Sequence, residues 1–322
     1  MDEGVEDVEV DTLLVCDLDV AIRTFEARNY RLDMVAPADA PRMAEMSLDE
    51  ERLRLIVGEP TDWALKSEGD FSDEFVLTHG TRSGSDVDVG RAGMQYRDLI
   101  PSRHGGHVIA SHIVIPGSGP IADYVHHHDI NFQVIFVRSG RVKVVYEDQG
   151  EPFWMEAGDC VLQPPHIRHR VLESADDCEV IEVASPGEHP TFVEHELELP
   201  TGTLDAARNF GGQRFCFAQA AGASWSAIDG GWEERDLGIR AGADGVGDVR
   251  VLRSVSVGSV SSIHNGSLCL LVLLDGICTL DTDGDFGVHN LTAGDCVAIP
   301  TGTLWTLSEP DPQCSVLHVT MT

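Results

Sequence analysis

Polar and apolar side chains alternate along Arg141-Val142-Lys143-Val144, the two-residue period of a strand with one buried face. Short β-branched runs of this kind recur at 108–115, 134–137, 142–146 and 161–162, and clusters of Gly, Pro and Asp separate them. Short strands at regular spacing, with turn signals between them, predict a sandwich or a barrel from about residue 100 onward. The first 60 residues have a different pattern. A strand is predicted at 13–16, then a helix capped by Asp17 or Asp19 with Leu18, Ile22 and Phe25 on one face, then strands at 30–35, 42–47 and 52–57. That order is βαβββ. Residues 61–100 are polar and rich in Gly, Ser and Asp around TRSGSDVDVG, which predicts a linker with connecting loops.

The β-rich part repeats itself. Under a shift of 136 positions, the interval from Gly140 to Gly276, Gly158-Asp159-Cys160-Val161 falls on Gly294-Asp295-Cys296-Val297. Pro164 falls on Pro300, Cys178 on Cys314 and Val183 on Val319, with no gap between about 126 and 183. Turn and strand residues coincide together, so the pattern predicts a duplicated β-unit. The expected layout is a βαβββ module at 1–60, linker and loops at 61–100, a first barrel at 101–195, an inter-repeat segment at 196–245 and a second barrel at 246–322.

Charge narrows the partners. Acidic residues number 54 against 22 basic ones, a formal charge of −32. Such a surface repels phosphate backbones and anionic lipid, so neither nucleic acid nor membrane is expected as a partner. The acidic start MDEGVEDVEVD has neither the basic nor the apolar stretch of a secretory signal, and a cytoplasmic location is expected. The eight cysteines form no CxxC pair and lie mostly in apolar runs, which predicts free buried thiols in a reducing compartment. A small-molecule substrate is the expected partner, with a homo-oligomer left open.

The chemistry concentrates at His126-His127-His128. In a strand, His126 and His128 share one face and His127 takes the other. Two imidazoles so placed inside a barrel can meet one metal ion, and a third, His169, lies 41 residues beyond His128 after the turn signals Gly158-Asp159 and Pro164-Pro165. His104, His107, His112 and His166 have no comparable spacing, with His166 on a turn near the mouth where a substrate contact is the alternative; Glu182 can face the barrel interior from the last strand, but a solvated face is the expectation.

These residues resemble the two motifs of the cupin superfamily. The first motif runs HxH, four residues, Glu, six residues, Gly; this chain has His126-x-His128, Gln133 and Gly140 at those intervals. The second runs Gly, five residues, Pro, x, Gly, two residues, His; here stand Gly158, Pro164, His166 and His169. Gln133 replaces the motif's Glu, and His166 replaces its inner Gly. The resemblance implies a mainly β fold, tandem double-stranded β-helix barrels behind a small α+β module. It also implies a divalent metal on His126, His128, Gln133 and His169, with Gln133 either a direct ligand through its amide oxygen or a hydrogen-bonding neighbour of a three-histidine site. The run DLDVAIRTFEARNYRL is similar to one module of the vicinal-oxygen-chelate, or glyoxalase-like, superfamily, but its strand positions are Leu, Val and Ile where that family carries metal ligands.

In the second repeat the positions of His126, His128, Gln133 and His169 hold Ser262, His264, Cys269 and Trp305, so a fold without its metal site is expected there, with Trp305 filling the barrel. Neutral ligands leave a metal its full charge, which suits an anionic or enolisable chelating substrate. The favoured reading is an Fe(II) dioxygenase for a small enol, diketone or phenol, similar in architecture to gentisate-type ring-cleaving enzymes. A zinc, nickel or manganese isomerase, lyase or hydrolase and a non-catalytic binding cupin stand as alternatives.

Overall fold

The computed structural model describes residues 10–58, 71–80 and 88–322. Among them, no helix is long and apolar enough to cross a membrane. The N-terminal part has the predicted βαβββ order: strand Asp11–Val15, helix Leu18–Glu26, and strands Arg31–Ala36, Met43–Leu48 and Glu51–Val57. Asp17, not Asp19, caps the helix, its carboxylate accepting from the Val20 amide at 2.9 Å. Leu18, Ile22 and Phe25 pack down onto Val35, Ala44, Met46 and Leu55 of the sheet.

This module is continuous with the first barrel. Its strand Arg31–Ala36 pairs with Thr191–Val193, and Thr191–Val193 pairs in turn with His126–His128. One sheet therefore runs from the N-terminal strands to the histidine strand.

The two repeats build two barrels in matching registers. Val134, Ile135 and Phe136 face Leu162, Val161 and Cys160; Leu270, Leu271 and Val272 face Ala298, Val297 and Cys296. Gly140 turns the first copy at φ +65°, where a Cβ would lie 2.7 Å from the Asp176 carbonyl oxygen, and Gly276 turns the second at φ +76°. The same turn thus sets the same register twice. The shift of 136 positions does not extend to the leading strands. Glu182 pairs with Ser111, but its counterpart His318 pairs with Arg250, so the connection from leading strand to next strand is three residues shorter in the second copy.

Residues 61–100 and 196–245 are more than spacers. Positions 61–70 and 81–87, which include most of TRSGSDVDVG, lie outside the described residues. The described part contains the strands Val76–Thr78, Asp88–Val89 and Gln95–Asp98. Val76–Thr78 crosses to pair with Cys296–Ala298 of the second barrel, while Cys216–Ala218 pairs with Cys160–Leu162 of the first. Each barrel thus takes a strand from the segment preceding the other. Local composition could not reveal this, because the partners of these strands are far away in sequence.

Between the barrels lies a shared apolar core, with Phe132, Val134, Phe136 and Val183 against Leu268, Leu270, Val272 and Val319. The alternate residues fill the barrel interiors: Val137, Val142, Tyr146, Val161 and Val180 in the first, Leu271, Leu273, Val297 and Trp305 in the second. Central strands are therefore buried on both faces, which explains their continuous apolar runs. The cysteines are all free; Cys16 is exposed and Cys216 half-buried, and the others are buried.

Candidate metal centre

His126 and His128 point to one side of the short strand His126–His128, and His169 opens the long strand His169–Ser185 directly opposite His126. The ring centroids of His126 and His169 are 4.2 Å apart, those of His126 and His128 5.1 Å, and those of His128 and His169 5.2 Å. One nitrogen from each ring lies within 4.8 Å of the others, and among the described residues this is the group of His, Cys, Asp and Glu side chains with metal-ligand spacing. Their exposures are 0%, 6% and 6%, so water contributes little to orienting them.

Protein acceptors orient the rings instead. His126 Nδ1 donates to the Tyr124 carbonyl at 2.8 Å, and His169 Nδ1 donates to the Ile167 carbonyl at 2.9 Å. His128 Nδ1 meets the Thr191 hydroxyl at 3.2 Å. Hydrogens held on Nδ1 make Nε2 the lone-pair nitrogen, the arrangement in which imidazoles serve a metal. Asp123 adds a carboxylate 3.9 Å from His126 Nδ1 and is itself fixed by the Val171 amide at 2.9 Å. The Tyr146 ring stacks on His169 at 5.6 Å, buttressing its plane.

Gln133 is 2% exposed. Its Nε2 donates to Glu182 Oε1, and its Oε1 is buried with no hydrogen-bond partner. An orphaned buried carbonyl oxygen costs about 1–3 kcal/mol, a cost that a metal or a donor from a ligand would remove. Three imidazole nitrogens and an amide oxygen fit a first-row divalent ion.

Glu182 departs from the solvated face expected of it. It lines a small cavity of ≈ 80 Å³ together with His128, Gln133, Gln163 and His169, and among the described residues it is the only carboxylate in the lining. The reason is that its strand has no solvated face at this point. Ile181 and Val183 face the inter-barrel core, so Val180 and Glu182 face the interior. The remaining walls are apolar, among them Ile113, Ile135, Val144 and Met155.

His127 lies on the opposite side of the strand from the cluster, as alternation requires, but it is half-buried and stacks on Phe192 at 5.3 Å. Burial, with Arg168 nearby, pushes its pKa down to about 4. His166 is exposed, sits at φ +61° and faces Asp129 at 3.6 Å. The left-handed backbone there accounts for the Gly of the cupin motif. His104, His107, His112 and His166 all lie outside the cluster.

Two neighbours of the site carry no spacing signal. Thr191 reaches His128, and His189, 3% exposed, sets its ring edge-on to His128 at 5.3 Å while its Nδ1 donates to the Pro186 carbonyl at 3.1 Å. Burial lowers the His189 pKa. Both residues come from the segment joining the barrel to the N-terminal module.

In the second barrel Ser262 faces Trp305 in the register of His126 and His169, and Trp305 is 1% exposed. His264 Nε2 donates to the Met321 carbonyl at 2.9 Å. Cys269 meets His318 at 3.7 Å, and burial pushes its thiol up to about 12.

Residues 112–184 match the family model for the cupin domain. No curated protein matches the chain. Among solved structures, oxalate decarboxylase of Lactobacillus farciminis, as its formate complex, superposes with a TM-score of 0.54 at 13% identity, over 76% of this chain and 85% of that one. Protein Ylba from E. coli superposes with a TM-score of 0.51 at 10% identity, over 82% of this chain and 98% of that one. A Bacillus subtilis oxalate decarboxylase, studied for its Mn(II) centres, gives 0.53 at 14% identity, over 76% and 78%. At these identities the likeness is one of fold: two cupin barrels in tandem.

Proposed function

We propose that this bicupin is a metal-dependent enzyme whose first barrel holds one divalent ion on His126, His128, His169 and the amide oxygen of Gln133, and that it acts on a small enolisable or phenolic substrate as an Fe(II) dioxygenase. The carrying observation is the set of donors. His126 and His169 give Nδ1 to backbone carbonyls and His128 meets Thr191, while Gln133, which lines one cavity with His128 and His169, has its Oε1 buried without a partner. Bound there, iron supplies Lewis acidity toward adjacent substrate oxygens and the redox capacity for dioxygen chemistry.

The chain's own residues divide the remaining work. The apolar walls bind the organic body of the substrate and exclude water. The cavity volume of ≈ 80 Å³ restricts that body to a small molecule. Glu182, the cavity's carboxylate, is the group available to take the proton from an enol or phenol hydroxyl as the substrate binds.

A second reading is a non-oxidative isomerase, lyase or hydrolase using manganese, zinc or nickel. Glu182 favours it, because proton transfer alone can then run the reaction, and so does the shared fold with the two oxalate decarboxylases. Metal analysis of protein from its own host, then oxygen uptake by the Fe(II)-loaded enzyme with small diketones and phenols, separates the two. Oxygen consumed in step with substrate supports the dioxygenase. Anaerobic turnover with Mn(II) supports the second reading, and protein that takes up no divalent metal overturns both.

A further inference from the structure

We propose that Glu182 is a positioning residue for the metal centre: its carboxylate holds the Gln133 amide so that the carbonyl oxygen, not the nitrogen, is presented to the three histidines. This rests on the metal reading above.

The chemistry of the pair dictates the direction. A carboxylate only accepts hydrogen bonds, and an amide has one donating and one accepting end. With Gln133 Nε2 on Glu182 Oε1, the amide is committed: turning it over would set its oxygen against a carboxylate. The other end, Oε1, is thereby directed away from Glu182, where it lies buried without a partner. Glu182 lines the same cavity as His128 and His169 but is not one of the three side chains with mutual ligand spacing. The carboxylate missing from position 133 has in effect moved one strand over.

The second barrel supplies an independent comparison. The counterparts of Gln133 and Glu182, Cys269 and His318, also touch, at 3.7 Å. The contact between these two positions is therefore a property of the barrel, because Glu182 lies across from Ile135 just as His318 lies across from Leu271. The barrel with three histidines fills those positions with an amide and a carboxylate. The barrel with Trp305 in place of a histidine fills them with a thiol and an imidazole.

The test is the Mn(II) affinity, by calorimetry, and the visible absorption of the Co(II)-loaded protein, whose bands report the ligand set directly. Glu182→Met keeps the volume and removes the acceptor. It should weaken Mn(II) binding about 10–100-fold, the usual effect of losing an outer partner of a ligand, and shift the Co(II) bands. The double variant Gln133→Glu with Glu182→Gln reverses donor and acceptor while keeping both side chains in size. It should bind Mn(II) at least as tightly as wild type and more tightly than Gln133→Glu alone, which sets two carboxylates against each other. Unchanged Mn(II) affinity and Co(II) bands in Glu182→Met overturn the proposal. If that variant does not fold, a double variant no better than Gln133→Glu overturns it. Wild-type protein that binds neither ion, or whose binding survives His126→Ala, sinks the metal reading and this proposal with it; loss confined to the Glu182 comparison sinks the proposal alone.

Discussion

Trp305 stands directly across a strand pair from Ser262, in the register that sets His169 across from His126. An indole occupies the place of an imidazole, and it is 1% exposed. Leu271, Leu273 and Val297 share its cluster, so it serves as core. Trp305→Ala should therefore lower stability by about 3–5 kcal/mol through the cavity it leaves. Urea unfolding measures this, and metal content should not change. A loss below about 1 kcal/mol would mean that the barrel does not depend on the indole for its packing.

The ligand set is tested one imidazole at a time. His126→Ala, His128→Ala and His169→Ala should each lower bound metal sharply, since all three nitrogens belong to one cluster. His127→Ala should leave metal content unchanged, because that ring stacks on Phe192 on the other side of the strand. Metal analysis of the four purified variants decides, and equal loss in His127→Ala would reverse the assignment of strand faces.

The fold and the histidine cluster were legible for the same reason. Both depend on residues close together in sequence or at fixed offsets: the HxH alternation, Gly140 and Gly276, Gly158 and Gly294. The periodicity also gave the N-terminal βαβββ order. What stayed hidden depends on the third dimension. Glu182 looked solvated because alternation shows that a strand has two faces but not that a second barrel covers one of them. Thr191 reaches His128 from a strand whose neighbours are the histidine strand and the N-terminal module, and His189 from the loop just before that strand, a pairing no local pattern encodes. The strand Val76–Thr78 was hidden likewise, its partner Cys296–Ala298 lying in the far repeat.

Acid should weaken the second barrel through His318. This ring meets Cys269 at 3.7 Å and the edge of Trp305 at 5.4 Å. Burial, helped by Arg250 and His264, pushes its pKa down from 6.5 to about 4. Above pH 6.5 the ring is neutral in both folded and unfolded chains, so its contribution to stability is fully present. Between 6.5 and about 4 the unfolded chain takes up a proton that the folded one refuses, and stability falls. On going from pH 7.5 to pH 5, the wild type should lose about 2 kcal/mol more than His318→Gln does. Urea unfolding at the two pH values gives the comparison, and parallel losses would remove His318 as the cause.

Thr191 tests whether the strand that joins the N-terminal module to the barrel also tunes the metal site. Its side chain is fully buried, and its hydroxyl lies 3.2 Å from His128 Nδ1. On its strand it pairs with Val35 on one side and with His128 on the other. Thr191→Val keeps the shape and removes the oxygen, so His128 loses a hydrogen-bonding group that holds its ring plane. Metal affinity should fall about 10-fold, the lower end of what losing such a partner costs, while Thr191→Ser, which keeps the hydroxyl, should stay near wild type. The folding cost of the lost hydrogen bond should be about 1 kcal/mol, small enough for both variants to be measured as folded protein. Mn(II) calorimetry on the pair reads the difference. Equal affinities for the Val and Ser variants would show that the Thr191 hydroxyl plays no part in orienting His128, and that the joining strand acts on the barrel through its backbone alone.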